Sequence, residues 1–392
     1  MNATRSAKTN TRSAMSRRDF VRVGVAGATG LGIARGVPCA QAADAGAPCK
    51  SVILLWMQGG VSHLDTFDPK PDAPADIRGP FRAVGTNVPG IQLCEHLPRM
   101  ARIADKIAFI RSMHHGEGSH ERGISYMLSG RAPLSGIRHP CLGGVISTEL
   151  GWRDGVPPYV SVPGTISASG LDHLGHGWPL PREDVAERQA QDGISFNAVG
   201  DRIVSARFRA ALNSENEPDK IRAAYGSSDL GRKCLLARRL VETGVRCVTV
   251  DEDGWDHHFR AFDSLKRRLP AFDQAVGMLI RDLDSRGLLE TTMVLFLTEF
   301  GRSPRINNEA GREHWPGVFS VFAAGGGVRG GQVIGASDAR GELPIGNAIT
   351  PEDLARTVCQ QMGIGHGRDC AQPPPGRRTS LAGSGRVIPG MV

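Results

Sequence analysis

The fold is decided by the stretch from Ser51 to Gly60, "SVILLWMQGG". Six apolar residues follow one another from Val52 to Met57, and the run ends at a Gly-Gly pair. A continuous apolar run without polar alternation suits a strand that is covered on both faces, as in a parallel sheet. The stretch therefore predicts a buried strand of an α/β fold.

Similar apolar runs recur along the chain and are separated by helical patterns. The further strand candidates are "KIAFIR" (106–111), "VRCVTV" (245–250), "TMVLFLTEFG" (292–301) and "VFSVFAAGGG" (318–327). Apolar residues from Phe262 to Leu283 recur at three- and four-residue spacing, with Pro270 able to kink that helix or to start a second one. A second amphipathic segment spans about 219–243 and closes at Gly244. The alternation predicts one domain, an α/β/α sandwich with a mostly parallel central sheet.

The first 42 residues have the anatomy of an export signal. Arg17 and Arg18 precede a short, Gly-rich apolar run, and Ala40-Gln41-Ala42 gives a small-residue cleavage site. We expect a twin-arginine signal peptide and a periplasmic or extracellular protein; a buried N-terminal helix is disfavoured by the glycines. The predicted organisation is a signal at 1–42, a linker at 43–50, a domain at 51–365 with loop insertions around 133–200, and a tail at 366–392.

Nearly all of the net charge of +7 lies in this leader. Residues 1–42 carry seven Arg or Lys and one acid, which leaves 40 basic and 39 acidic residues in the rest. A nearly neutral remainder argues against a nucleic-acid partner. No segment after the signal approaches the roughly 18–20 apolar residues of a membrane span, so we expect no transmembrane segment in the mature protein.

Clusters of His and carboxylates follow several of the predicted strands. In open α/β sheets, ligands bind beyond the carboxyl ends of the strands, so these clusters should meet at one edge. Each cluster alone is more typical of a solvated turn, but their shared topological position favours a site. The clusters are "QGGVSHLDTFDPK" with His63 and Asp65, "DEDGWDHH" (251–258), "EFGRSPR" with Glu299 and Arg302, "GREHWP" with His314, and "SMHHGEGSHERG" with His115, Ser119 and His120.

Mixed imidazole and carboxylate ligands indicate a divalent metal. Zinc is the favoured ion, with manganese or calcium as alternatives. Ser119 is a candidate nucleophile activated by that metal, although a Ser beside Gly is more often a turn residue. Arg302 or Arg122 could clamp an anion in a bidentate fashion.

Several motifs resemble those of the domain of unknown function 1501 family, over about residues 50–350. They are "GGVSHLDTFDPKP", "SHERGISYMLSGR", "GWDHH", "TEFGRSPRINNEAGREHWP" and "AGGGVRGGQVIGASD". Members of that family often carry twin-arginine signals and are placed in the alkaline-phosphatase-like superfamily, with sulfatases and phosphomutases. The resemblance implies that fold and a two-metal site for phosphoryl or sulfuryl transfer.

For the first metal, the superfamily typically uses an Asp-x-x-x-His step and a later His. Asp253 and His257 have that spacing, and His314 lies where the later His is expected. Asp256 and His258 form the alternative Trp-Asp-x-His pattern, so the resemblance implies Asp253 or Asp256 with His257 or His258.

For the second metal, the superfamily pattern is altered in this sequence. The ligand positions read Gln58, Glu299 and Phe300. Gln replaces a carboxylate and Phe cannot coordinate, so the second metal is weak or absent unless His63, Asp65 or His115 fills the gap. The nucleophile position aligns with Ser119 or His120.

Two functions follow from these expectations. The first is an exported, metal-dependent hydrolase that cleaves a small phosphate or sulfate ester. The second is a non-catalytic exported binding or assembly protein that keeps the fold with a degenerate metal site.

Overall fold

The computed structural model describes residues 46–135, 139–162, 178–179, 205–365 and 385–392. Its strands are β1 Ser51–Met57, β2 Ala83–Gly85, β3 Gln92–Cys94, β4 Ile107–Met113, β5 Tyr159–Val162, β6 Trp178–Pro179, β7 Cys247–Glu252, β8 Thr292–Leu297, β9 Gly301–Arg302, β10 His314–Trp315, β11 Phe319–Ala324, β12 Gln332–Ile334, β13 Ala336–Ser337 and β14 Pro344–Ile345.

Eight of these strands form one sheet, in the order β12-β4-β11-β8-β1-β7-β5-β6. Neighbouring strands run parallel except where β11 pairs with β4 and β8. Every residue of β1 and of β8 is buried, which is why these strands lack polar alternation. The mostly parallel central sheet and its five predicted strands are confirmed.

Helices cover both faces of the sheet. The register places Val52, Cys247 and Tyr159 side by side, and the alternation of side chains puts Phe296 on the opposite face. Phe272 packs 5.7 Å from Phe296 between ring centres, whereas a Cβ on Gly143 would lie 2.6 Å from the Tyr159 ring. The α/β/α sandwich is therefore confirmed, with helices α1 Ala75–Arg78, α2 Pro98–Ala101, α3 His120–Ser129, α4 Leu142–Leu150, α5 Ala206–Leu212, α6 Asp219–Tyr225, α7 Asp229–Glu242, α8 Ala261–Ser285 and α9 Pro351–Gln361.

The two helical segments depart from their predicted forms. The segment 219–243 forms α6 and α7 rather than one helix, because Gly226 between them adopts a φ of +87°. The Ser228 hydroxyl then caps α7 by accepting from the Gly231 N–H. Pro270 lies inside α8, which continues from Ala261 to Ser285.

The Gly-Gly pair at the end of β1 lets the loop after β7 lie directly against it. Gly59 has a φ of +124°, and a Cβ there would lie 2.3 Å from the backbone N of Asp256. The Trp255 N–H also donates to the Gln58 carbonyl at 3.1 Å. Since only glycine tolerates this conformation and approach, the loop that carries Asp256 depends on Gly59.

The predicted domain boundaries stay predictions. The predicted signal at 1–42 lies outside the described residues. So do residues 163–177 and 180–204, most of which belong to the predicted insertions around 133–200. Of the described helices, none is long and apolar enough to cross a membrane. In the last eight residues, Ile388 and Met391 are buried, and the Ile388 N–H donates to Thr357 Oγ1 of α9 at 2.9 Å.

Candidate metal centre

The loops after β4, β7 and β8 meet at the carboxyl edge of the sheet. His120 is the first residue of α3, which follows β4, whereas Asp256 lies in the loop after β7 and Glu299 lies just after β8. His120 contacts both acids, at 3.3 Å to Asp256 and 2.6 Å to Glu299. The hairpin of β9 and β10 adds His314, which pairs with Arg302 in the register.

Three side chains form what we call the metal group: His120, Asp256 and His314. One ligand atom from each lies within 4.8 Å of the other two. His120 Nε2 is 3.3 Å from Asp256 Oδ2, and His314 Nε2 is 3.3 Å from Asp256 Oδ1. Two imidazoles and a carboxylate are a donor set that suits zinc or manganese. His258 borders the group, with its Nε2 3.0 Å from Asp256 Oδ1.

Each of these imidazoles is anchored through Nδ1, on the side away from Asp256. The Nδ1 partners are Glu299 Oε1 for His120 at 2.6 Å, Glu313 Oε2 for His258 at 2.7 Å and the Gly118 carbonyl for His314 at 2.8 Å. A carbonyl oxygen accepts and cannot donate, so the His314 proton sits on Nδ1. Burial lowers the pKa of His314, which favours the neutral ring with a bare Nε2. Metal-ligating histidines are oriented in this way by their second nitrogen.

Two imidazole nitrogens lie close to one oxygen of Asp256, where a cation could bind between them. His258 Nε2 and His314 Nε2 lie 3.0 Å apart, and both approach Asp256 Oδ1. Two lone pairs and an anionic oxygen at these distances repel one another unless a proton or a metal ion joins them. The residues present therefore fit a divalent metal.

Glu299 supports the metal group from behind. Its carboxylate is fully buried, and Oε1 accepts from the Gly59 N–H at 2.8 Å as well as from His120 Nδ1. The hydrogen bond between His120 and Glu299 raises the pKa of His120 and directs its Nε2 toward Asp256. Glu299, a predicted metal ligand, thus orients His120 and lies outside the metal group.

Replacing Glu299 tests this orienting role. In Glu299→Gln we expect metal affinity to fall by about 10- to 100-fold, the usual cost of losing an outer-shell partner of a ligating histidine. A competition titration against a chromophoric chelator measures the change, with the exposed Glu290→Gln as the control. Unchanged affinity in Glu299→Gln would contradict the role.

Arg302 is a buried partner of Asp256 rather than an exposed anion clamp. Its guanidinium donates to the Asp256 carboxylate, to the Gly59 and Gly60 carbonyls and to the Arg312 carbonyl. Burial would raise the pKa of Asp256, but the Arg302 hydrogen bond and charge outweigh it and hold the pKa at about 2. Arg302 therefore keeps Asp256 ionised and in position.

The structure separates the two alternative pairs in "DEDGWDHH". Asp256 and His258 face the site, whereas the Asp253 side chain is exposed and lies outside the metal group. His257 packs beside Trp255 with ring centres 6.3 Å apart, and its buried Nε2 has no partner. Burial lowers the pKa of His257 to about 4, so this imidazole is neutral at pH 7.

His63 and Asp65 are engaged elsewhere. The Asp65 carboxylate receives Arg312 Nε at 2.7 Å and Arg312 Nη2 at 3.1 Å, and both side chains are buried. His63 Nε2 lies 3.0 Å from the Gly341 carbonyl. The buried His63 Nδ1 has no hydrogen-bond partner among the described residues, but neither His63 nor Asp65 belongs to the metal group.

Ser119 lies between two residues of the site. It precedes α3 at its N-cap position, is exposed, and its hydroxyl does not cap the helix. Its neighbours are Gly118, whose carbonyl holds His314, and His120 itself. The hydroxyl is therefore exposed, on the residue that precedes His120 of the metal group.

His115 contacts the site through the backbone carbonyl of Glu299. Its Nε2 donates to the Glu299 carbonyl at 2.7 Å, and its Nδ1 accepts from the Glu117 N–H at 3.1 Å. Burial lowers the pKa of His115 from 6.5 to about 4, because it disfavours the charged form of the ring.

This shift predicts a contribution to acid lability. Between about pH 4 and pH 6.5 the unfolded chain binds the His115 proton and the folded chain does not, so stability falls as the pH decreases through that window, by up to about 3 kcal/mol. Chemical denaturation at several pH values measures the slope. His115→Gln should flatten it, and a variant with the wild-type slope would contradict the assignment.

Three parts of the chain support the site in roles that the sequence did not indicate. Glu313 holds His258, the Gly118 carbonyl holds His314, and the buried Phe300 ring lies 4.3 Å from the His314 ring and 5.0 Å from the His120 ring between centres. An acid next to His314 was the available signal for Glu313. A backbone carbonyl leaves no such signal in a sequence.

The comparisons with solved structures find several distant matches. The PsFucS1 sulfatase from Pseudoalteromonas sp. is 15% identical, with 89% of this chain and 72% of that chain covered at a TM-score of 0.40. The lipoteichoic acid synthase LtaP from Listeria monocytogenes is 8% identical, with 88% and 76% covered at 0.46. Alkaline phosphatase from the Antarctic bacterium TAB5 is 13% identical, with 71% and 92% covered at 0.36. At these TM-scores and identities the likeness carries no conclusion about this chain.

The comparisons at the level of sequence identify a family. None of the curated proteins matches the chain significantly. The family model described as Protein of unknown function (DUF1501) matches residues 49–183 and 180–392. Because these matches span well over half of the sequence, the chain belongs to the DUF1501 family.

Proposed function

We propose that the protein is a metal-dependent hydrolase that acts on a small phosphate or sulfate ester at the metal group. The observation that carries this proposal is the set of imidazoles, each anchored through Nδ1 and directing Nε2 to Asp256. Such a set is suited to hold an ion, and the exposed Ser119 directly precedes His120 in the chain. The ester class comes from the resemblance of the motifs to those of the DUF1501 family. A divalent ion held at the metal group would attract the anionic oxygen of such an ester.

His120, Asp256 and His314 would hold the ion. A bound divalent ion in such a site polarises an ester oxygen and lowers the pKa of bound water. Zinc fits two imidazoles and a carboxylate, and manganese is the alternative; calcium fits less well because it takes oxygen ligands.

The remaining chemistry falls to the chain itself. His120 uses both nitrogens, one for Glu299 and one toward Asp256, so Ser119 is left as the nucleophile. Its hydroxyl stands at the start of α3, where the free N–H groups of the first turn favour an anionic substrate. Arg302 and Glu299 position ligands and do not contact the ester.

Metal analysis and an ester panel test the proposal together. The purified protein should contain about one zinc or manganese ion per chain and should cleave p-nitrophenyl phosphate or p-nitrophenyl sulfate. His314→Ala should lose both metal and turnover, whereas Ser119→Ala should keep the metal and lose turnover. His114→Ala is the matched control, because its Nδ1 lies 3.1 Å from the Ile349 carbonyl, outside the metal group. Metal-free protein with wild-type turnover would overturn the proposal.

A second candidate is a non-catalytic protein that binds metal and serves in binding or assembly. Phe300 favours it, since the apolar ring packs on His120 and His314 where the superfamily pattern has a second metal ligand. Among the described residues one metal group is found. Bound metal with no turnover of any ester in the panel would support this candidate over the hydrolase.

We also propose export through the twin-arginine pathway, on the strength of Arg17, Arg18 and the small-residue site at Ala40–Ala42. Replacing both arginines by lysine should leave the full-length precursor in the cytoplasm. Cell fractionation with an antibody follows the outcome, and unchanged export of the double variant would contradict the pathway.

A further inference from the structure

We propose that Arg268 of α8 is a positioning residue of the metal group. Its guanidinium holds the stretch of backbone that leads into Asp256 and so sets where that carboxylate lies. The inference rests on the metal site proposed above. It concerns a residue outside the polar motifs that follow the strands, and outside the three ligands themselves.

The chain between β7 and the metal group has neither helix nor strand, so contacts with other elements set its course. The loop after β1 supplies two of them. The Gln58 N–H donates to the Glu252 carbonyl at 2.8 Å, and the Gln58 carbonyl accepts from the Trp255 N–H at 3.1 Å. The Asp253 carbonyl, which lies between these two contacts, accepts from Arg268 Nη1 at 3.0 Å. Arg268 therefore holds this stretch from the side of α8.

Gly254 lets the Arg268 guanidinium lie directly on the backbone. Its φ is +85°, and a Cβ there would lie 2.7 Å from Arg268 Cζ. Any other residue at 254 would need a left-handed backbone and would also push the guanidinium away. The glycine in "DEDGWDHH" is thus explained by the contact that it makes with α8.

The same guanidinium reaches the residues on both sides of that contact. Arg268 Nη1 is 3.9 Å from Glu252 Oε1, and Arg268 Cζ lies 5.9 Å from the centre of the Trp255 ring, within the range of a cation–π interaction. Arg268 therefore contacts each of the four residues that precede Asp256. From the other side, Gly59 packs against the backbone of Asp256.

Two arginines thus place Asp256 in different ways. Arg302 bonds to its carboxylate, whereas Arg268 fixes the backbone before it. Ligand distances in metal sites tolerate errors of only about 0.2 Å. A small shift of this backbone would therefore move the carboxylate out of reach of an ion held by His120 and His314. Lysine cannot replace Arg268, because its ammonium is a single point and not a planar fork.

Amide hydrogen exchange of the metal-free protein tests the contact directly. Arg268→Lys keeps the charge and loses the fork, so the peptide that spans residues 251–258 should exchange several-fold faster than in the wild type. Arg267→Lys is the matched control, because the neighbouring Arg267 is exposed, and its peptide should exchange at the wild-type rate. Equal exchange in the two variants would overturn the inference.

Zinc affinity measures whether the contact serves the metal group. Competition against a chromophoric chelator should give binding about 10-fold weaker in Arg268→Lys, the low end of the cost of losing an outer-shell partner, and wild-type binding in Arg267→Lys. The free energy of unfolding of the metal-free proteins is measured alongside. A merely structural Arg268 would lower that free energy and leave the zinc affinity unchanged, and this result would overturn the inference.

Gly254→Ala provides a second variant that acts on the same contact. It should weaken zinc binding by displacing the guanidinium, and combined with Arg268→Lys it should cost less than the product of the two single effects. Effects that multiply in full would contradict a shared contact. A wild-type protein that binds no zinc would sink the proposed function, while the hydrogen exchange would still decide whether Arg268 holds this backbone.

Discussion

Asp256→Asn is expected to strip the metal from the protein. The imidazoles of His120, His258 and His314 direct their Nε2 atoms to this carboxylate, and Arg302 holds it ionised. Asn leaves one neutral oxygen in place of the charge, so we expect metal affinity to fall by more than about 100-fold, beyond the usual cost of losing an outer-shell partner. Metal analysis after dialysis against a chelator at fixed free-metal concentration measures the loss.

The control for this variant lies in the same loop. Asp253→Asn removes an exposed carboxylate three residues away that is not part of the metal group. It should keep metal affinity within a factor of two or so, since surface substitutions have small effects. The reverse result, with metal lost in Asp253→Asn and retained in Asp256→Asn, would place the ion on the Asp253 and His257 pair.

Asp65→Asn is expected to destabilise the fold by about 3–5 kcal/mol, the usual cost of leaving a buried charge without its partner. Asp65 and Arg312 are both buried, and two hydrogen bonds join them. Arg312 also donates to the carbonyls of Ile77, Ser303 and Pro304. The pair thus ties the loop after β1 to the segment that follows β9, and equilibrium denaturation measures the free energy of unfolding.

An exposed ion pair supplies the comparison. Arg82 and Glu95 also form a close pair, but the Arg82 side chain is 85% exposed, so Glu95→Gln should cost less than about 1 kcal/mol. Asp65→Asn should retain metal in the fraction that remains folded. Loss of metal from a variant of wild-type stability would instead place Asp65 in the coordination shell.

The sequence was a good guide to the fold because the sheet is buried on both faces. Strands such as β1 and β8 have no solvent-facing side, so their apolar runs stand out without any alignment. The break at Gly226 was not visible in the same way. Helical periodicity continues on both sides of it, and the turn depends on the positive φ of one glycine among 50 in the chain.

The meeting of the polar clusters at one edge of the sheet was also predictable, for a topological reason. The carboxyl ends of parallel strands share one edge, so clusters after β4, β7 and β8 had to approach one another. That reasoning reached His120, Asp256 and His314. It could not distinguish the ligands from the residues that support them, such as Glu299 and Arg302.

By itself, the sequence determined the sheet, the edge at which the polar loops meet and the residue types available there. The tertiary structure alone decided which side chains point at one another. In "DEDGWDHH" the backbone is irregular, so no periodicity tells Asp256 and His258 from Asp253 and His257. Their directions are set by Gly59, Arg302 and Glu313, which lie distant in sequence and close in space.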